Sequence, residues 1–290
     1  MEKKAVYKHF IITLFNLKIW KEDKAKMPTQ TVDWLKQRFF LFETYCMPSV
    51  KGQTCQEFEW LCLFDIDTPD VYKQRIEELR KQVPQLRPCY FSAEDSSHFR
   101  DEDKNLRCRF IRNKIASLLS GEDYVITTNL DNDDALQKNF VERVHQVFDQ
   151  AEGEALVTFK TGMQYFVSLN AVVKMFYPHN HFLNLIERTD KDFFTIEYFR
   201  HAEARKILPC IDIKEQPYWM EVVHACNVSN ELRITSRVKY LPQIRTFSFT
   251  DYGQDKKLSR PINLYNFLFR LPVYFIKIAV WRLKKKLCKH

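Results

Sequence analysis

Residues 125–136 read VITTNLDNDDAL: an apolar, β-branched run that stops abruptly at Asp131, Asn132, Asp133 and Asp134. The first half has the composition of a buried strand. Three carboxylates and an amide directly behind it demand an account, because strands of alternating α/β sheets place ligands beyond their carboxyl ends. Working outward, HFIITLFNL (9–17) is a second β-rich run, followed by the polar linker KEDKAKMPTQ. Trp34, Leu35, Arg38, Phe39, Phe42 and Tyr45 then recur at helical spacing, which predicts an amphipathic helix over 31–46 that Pro48 ends. FEWLCLFDI (58–66) reads as a buried strand, 71–82 as a helix, 88–92 as a short strand, and 105–120 as a helix stopped by Gly121. After DYVITTNL, the stretch DALQKNFVERVHQVFDQ predicts a helix that begins at the acidic cluster.

This alternation predicts an α/β fold with a mostly parallel central sheet flanked by helices. Beyond residue 155 the pattern changes: ALVTFKTGMQYFVSL and AVVKMFYP read as strands or a hairpin, and a mixed stretch follows. A large unit over 1–255 and a separate tail over 256–290 is the expected division. The opening MEKKAVYKHFIITLFNL lacks a small-residue cleavage site and reads as strand one rather than a signal peptide.

Composition narrows the chemistry. Only 5 of the 290 residues are Gly, and neither G-x-G-x-x-G nor G-x-x-x-x-G-K occurs, which argues against Rossmann dehydrogenases and P-loop NTPases. Eight cysteines show no C-x-x-C pair and no zinc-ligand spacing, as expected of reduced cytosolic thiols. The net charge of +8 could serve phosphates of nucleotides, nucleic acids or lipids.

Carboxylates at x and x+2 just past a strand can hold a hard divalent cation, Mg²⁺ or Mn²⁺, which in turn can bridge a diphosphate. Asp131 and Asp133 have that spacing, with Asp134 beside them. The plainer alternative is that Asp133 or Asp134 caps the following helix, although a cap needs one Asp rather than three. An EF-hand is disfavoured, since no Gly occupies the sharp turn and no Glu the last ligand position. Upstream, LFDIDT (63–68) resembles the nucleophile loop of haloacid-dehalogenase-type phosphatases, with Asp65 as nucleophile and Asp67 as acid and base. Against that stand Pro69 directly after Thr68 and a position after the second strand rather than the first.

Taken in order, RFFLFETYCMPSVKGQT, FEWLCLFDIDTP, DYVITTNLDNDDAL and PYWMEVVHACNVSN resemble the bacterial rhamnosyltransferase family, glycosyltransferases of GT-A type. The likeness runs from about residue 8 to 245. It implies a GT-A-like fold and a metal-dependent transferase that moves a sugar, with rhamnose a candidate, from a nucleotide-sugar donor to a glycan or lipid-linked acceptor in surface polysaccharide synthesis. By position, Asp131 and Asp133 become the metal and ribose pair with Asp134 beside them, and His224 a further metal or diphosphate ligand. Arg38, Ser49 and Gln53 fall at recurring family positions, Arg38 as a fixed charge near the nucleotide. Asn129 stands where the family pattern has an Arg, which singles it out for donor choice.

Other sites follow from placement. Arg109, Arg112 and Lys114 precede the acidic strand and could face a diphosphate, or form a solvated helix face. An inverting transfer needs a base within reach of the acceptor hydroxyl. Glu187 is the first candidate, His201 the second, with Glu197 and Glu221 open. Residues 262–290 mix Leu, Ile, Phe, Val, Tyr and Trp with seven Lys and Arg residues, too interrupted to span a bilayer. They suit an amphipathic helix on an anionic membrane surface, or a helix docked on the main unit. The expected location is cytoplasmic, peripheral on the inner face of the cell membrane. A basic nucleic-acid or membrane binding protein is the remaining alternative. No nucleic-acid partner is expected, since no RNA-binding signature accompanies the charge.

Overall fold

The computed structural model describes residues 5–19, 22, 28–92, 104–151, 153–199, 205–206, 208–224, 239–240, 264–277 and 280. The apolar run near the N-terminus forms β1 (Tyr7–Leu14), and both of its faces are buried. Ile11 packs with Phe15, Phe39 and Phe42 on one side; Phe10 and Ile12 pack with Ile111 and Ile115 on the other. A strand covered on two faces belongs inside a helix-flanked sheet. β2 (Glu59–Asp65), β3 (Leu86–Phe91) and β4 (Tyr124–Asn129) join it in parallel. Between them run α1 (Val32–Leu41), α2 (Met47–Lys51), α3 (Asp70–Gln82) and α4 (Lys104–Ala116). The register pairs Leu14 with Leu63 and Ile12 with Asn129, so the ends of β1, β2 and β4 form one edge.

Three further strands complete this sheet: β6 (Ala155–Phe159), β9 (Leu183–Arg188) and β10 (Cys210–Ile213), in the order β10-β6-β9-β4-β1-β2-β3. Only β9 runs antiparallel to its neighbours. The result is a mixed α/β fold with a large, mostly parallel sheet flanked by helices, as the alternation and the GT-A resemblance implied. A second sheet, β12-β8-β7-β11-β5, contains β5 (Ala135–Leu136), β7 (Thr161–Phe166), β8 (Ala171–Phe176), β11 (Trp219–Val223) and β12 (Lys239–Tyr240). The acidic residues 131–134 are the connection from β4 in the first sheet to β5 in the second.

Two sequence expectations change. Pro48 does not end the first helix: a π-helical turn over Phe42–Cys46 intervenes, and Pro48 lies at the start of α2, where its missing N–H is tolerated. No helix begins at the acidic cluster. Ala135 and Leu136 pair with β11 instead, and α5 (Phe140–Phe148) starts after Asn139, so neither Asp133 nor Asp134 is a helix cap. Residues 264–277 form a helix, α6, whose Leu271 is buried with Phe166, Leu169, Val173 and Val223. Asn266 also donates to the Asn170 carbonyl, so this segment docks on the second sheet. Among the described residues no helix is long and apolar enough to cross a membrane.

Candidate functional site

Backbone pairing shapes the acidic loop first. Leu130 N–H donates to the Ile12 carbonyl, extending the β1–β4 ladder by one residue, and Asp134 N–H closes a turn onto the Asp131 carbonyl. The Asn132 amide donates to the Leu14 and Phe15 carbonyls at 3.3 and 2.7 Å, tying the loop to the end of β1. Asp134 Oδ1 accepts from Val222 N–H of β11 at 2.9 Å. The loop is therefore stitched to both sheets.

Each carboxylate then meets a different environment. Asp133 is buried, and its Oδ2 lies 2.8 Å from Arg38 Nη1 and 2.8 Å from His224 Nε2. Burial works against its charge, but Arg38 and His224 outweigh it and hold the carboxyl well below the usual range. Asp134 is fully buried and lies 2.8 Å from His181 Nε2. Asp131 is 44% exposed and 3.6 Å from the same imidazole nitrogen. Burial alone would lower the His181 pKa, yet the surrounding carboxylates of Asp131, Asp134 and Glu221 raise it to about 10.

His181 was not among the residues singled out from the sequence. Its only local sign is the HNH triplet at 179–181, just before β9, where no helical or strand period marks it. Ligand atoms of Asp131, Asp134 and His181 lie within 4.8 Å of one another, so these three could hold a metal ion. Two carboxylates and one imidazole fit a divalent cation that accepts mixed oxygen and nitrogen donors. Of the metal ligands expected from sequence, Asp131 and Asp134 belong to this set. Asp133 and His224 are paired with each other and with Arg38 instead.

The remaining candidates separate by place. Arg38 projects from α1, stacks near Trp34 at 5.2 Å and also donates to Asn132 Oδ1, so its charge is spent inside the acidic loop. Gln53 donates to the Ser49 and Gln137 carbonyls and accepts from Val141 N–H, while Ser49 accepts from Leu136 N–H. Both brace α2 against β5 and α5 from below. Asn129 donates to the His181 carbonyl at 3.0 Å and thereby positions that histidine. Glu221 is buried on β11, hydrogen-bonded to Gln164, and near enough to His181 to interact electrostatically.

Glu187 lies away from the acidic loop. β9 is antiparallel, and Glu187 pairs with Val125 at the start of β4, about 20 Å of strand from Asp131 at ~3.3 Å per residue. Its carboxylate accepts from Phe194 and Thr195 N–H at 2.7 and 2.9 Å, which holds Thr195 at φ 74. Arg112 pairs with Asp192 at 3.2 Å on the α4 face, and Arg109 and Lys114 are exposed there. Glu197 is buried in the turn after Thr195, at that same lower region. His201 lies outside the described residues. Asp65, buried at the end of β2, accepts from Asp67 N–H and pairs with Lys18 at 3.2 Å.

Fold and site together define a mixed α/β protein whose strand-edge carboxylates and imidazoles form one candidate ligand centre. The profile of the family described as "Putative rhamnosyl transferase" matches residues 22–236. The chain belongs to this family. Comparison with curated proteins gives no match. Among solved structures, Staphylococcus aureus TarS 1–349 is similar with 13% identity and a TM-score of 0.43, covering 74% of this chain. The chain spans 60% of that structure's length. A protein from Desulfovibrio desulfuricans described as "putative nucleotide-diphospho-sugar transferase" is similar with 11% identity and a TM-score of 0.38, covering 73% of this chain and 81% of the other.

Proposed function

We propose that the protein transfers a sugar, rhamnose by the family's name, from a nucleotide-sugar donor at the carboxyl edge of β1, β2 and β4 to a glycan or lipid-linked acceptor in surface polysaccharide synthesis. The observation that carries this reading is the meeting of Asp131, Asp134 and His181 at that edge. Mn²⁺ or Mg²⁺ held by these three would neutralise charge on the departing diphosphate. Asp131, the exposed member, faces the donor; Asp133, Arg38 and His224 keep the loop in shape; Asn129 sets the reach of His181 through its backbone. The test is thermal stabilisation by nucleoside diphosphates and their sugars, with and without Mn²⁺, since a ligand of the folded state raises apparent stability. A Mn²⁺-dependent shift lost in Asp131→Ala and His181→Ala supports the reading. No shift with any nucleoside diphosphate overturns it.

A second element of the proposal is peripheral attachment to the cytoplasmic face of the membrane. Leu264, Tyr265, Leu268, Phe269, Val273 and Ile276 are exposed on α6 although Leu271 anchors its other side. An apolar stripe of this kind can enter the headgroup boundary, and the lysines and arginines that follow would meet anionic lipid. Co-sedimentation with phosphatidylglycerol vesicles, lost in Phe269→Asp/Ile276→Asp, tests it; binding that survives this pair rejects it.

A further inference from the structure

At the opposite end of the large sheet a second set of ligating side chains meets. His9 of β1 pairs in register with Ile126, about 16 Å of strand below Asp131 at ~3.3 Å per residue. A chain of buried hydrogen bonds begins there, and its polarity can be worked out from one end. The Val157 carbonyl can only accept, so the Asn184 amide donates to it at 3.2 Å and leaves Asn184 Oδ1 as an acceptor. Thr128 Oγ1 gives its proton to that oxygen at 2.6 Å and must therefore accept from His9 Nε2 at 2.8 Å. In the neutral imidazole of His9 the single N–H is the one committed at Nε2. His9 Nδ1 is then a bare lone pair, which accepts from His145 Nε2–H at 3.1 Å.

The consequence falls on the last nitrogen. His145 Nδ1 presents a lone pair, and it lies 3.5 Å from Cys55 Sγ. Ligand atoms of Cys55, Glu57 and His145 lie within 4.8 Å of one another. Zinc bonds of about 2.3 Å to sulfur and about 2.0 Å to nitrogen, at tetrahedral angles, put those two ligands about 3.5 Å apart. A metal-bound histidine characteristically donates its other N–H to a partner that fixes the ring, and for His145 that partner is His9 Nδ1. Glu57 is exposed and free to turn its carboxylate toward the pair.

We propose that Cys55, Glu57 and His145 form a thiolate-containing binding site for a zinc-class divalent metal, separate from the acidic loop, with His9, Thr128 and Asn184 holding the imidazole in its ligating tautomer. Such an ion would fasten the loop before β2 to α5.

The full chain, stripped with a chelator and titrated with Co²⁺, tests this. One equivalent should produce a thiolate-to-cobalt charge-transfer band in the near ultraviolet, bleached by Zn²⁺, absent in Cys55→Ser and retained in Cys210→Ser. Glu57→Gln should weaken Zn²⁺ binding about tenfold or more. A cobalt ion at Asp131, Asp134 and His181 has no sulfur ligand and gives no such band, so failure here leaves the donor site untouched. In the unmutated protein, Zn²⁺ should slow alkylation of Cys55 at least about tenfold. No band at stoichiometric Co²⁺, a band that persists in Cys55→Ser, or equal alkylation with and without Zn²⁺ would overturn the proposal.

Discussion

Arg38 Nη1 lies 2.8 Å from Asp133 Oδ2, and both side chains are only 7% exposed. The pair joins α1 to a loop ninety-five residues later in the chain. Breaking a buried pair from one side leaves an uncompensated charge, which typically costs about 3–5 kcal/mol. Arg38→Met should show a loss of that order in urea denaturation. Arg38→Met/Asp133→Asn should regain part of it, because the orphaned carboxylate is gone; a purely additive cycle would show that the two do not interact.

His181 gives stability a definite pH dependence. Its pKa is pushed up to about 10, against burial, by Asp131 and Asp134. A histidine raised above its unfolded value of about 6.5 stabilises the fold fully below that pH, and the contribution disappears as pH rises toward 10. The metal-free protein should therefore lose urea resistance across this window. His181→Gln should lose distinctly less over the same range. Asp133 acts at the other end: its lowered pKa stabilises above about pH 4 and the benefit is lost on further acidification.

Glu187→Gln separates a structural carboxylate from a catalytic one. The side chain accepts two backbone N–H groups, so losing one good acceptor should cost about 1–2 kcal/mol in stability. Sugar transfer at a temperature where the variant is folded should remain close to that of the unaltered protein. A thousandfold fall in kcat with unchanged stability would return Glu187 to the chemistry.

Gly162 is required by contact rather than by backbone angle. A Cβ there would lie 2.1 Å from Trp219 Cδ2. That ring cannot slide away easily, since its Nε1 donates to the Phe159 carbonyl at 2.7 Å and its face stacks on Phe182 at 4.8 Å. Overpacking of this sort costs about 1–3 kcal/mol or more. Gly162→Ala should lower Tm and change the near-ultraviolet circular dichroism of tryptophan. Because Phe182 adjoins His181, Mn²⁺ binding at the proposed Asp131, Asp134 and His181 site should weaken as well.

The order of strands and helices was legible because each is written locally. Phe10, Ile11 and Ile12 are apolar without interruption, Leu35 and Phe39 fall at helical spacing, and the acids sit just behind the apolar end of β4. What stayed hidden depends on contacts distant in sequence. β5 is two residues long and exists only by pairing with β11, so Ala135 and Leu136 looked like the start of a helix. His181 gains its meaning from Asp134, forty-seven residues away. Which edge Glu187 reaches was hidden as well, because the direction of β9 decides it and a strand's composition does not record its direction.

β9 also governs when the molecule can close. It bonds to β4 on one side and β6 on the other, although β6 precedes it in the chain. During synthesis, β4 and β6 must wait with unpaired edges until residues 183–188 have emerged and slotted between them. Open strand edges invite pairing with other chains. Nascent or truncated forms ending before Leu183 should therefore aggregate and depend on chaperones, whereas those extending past Arg188 gain a continuous central sheet.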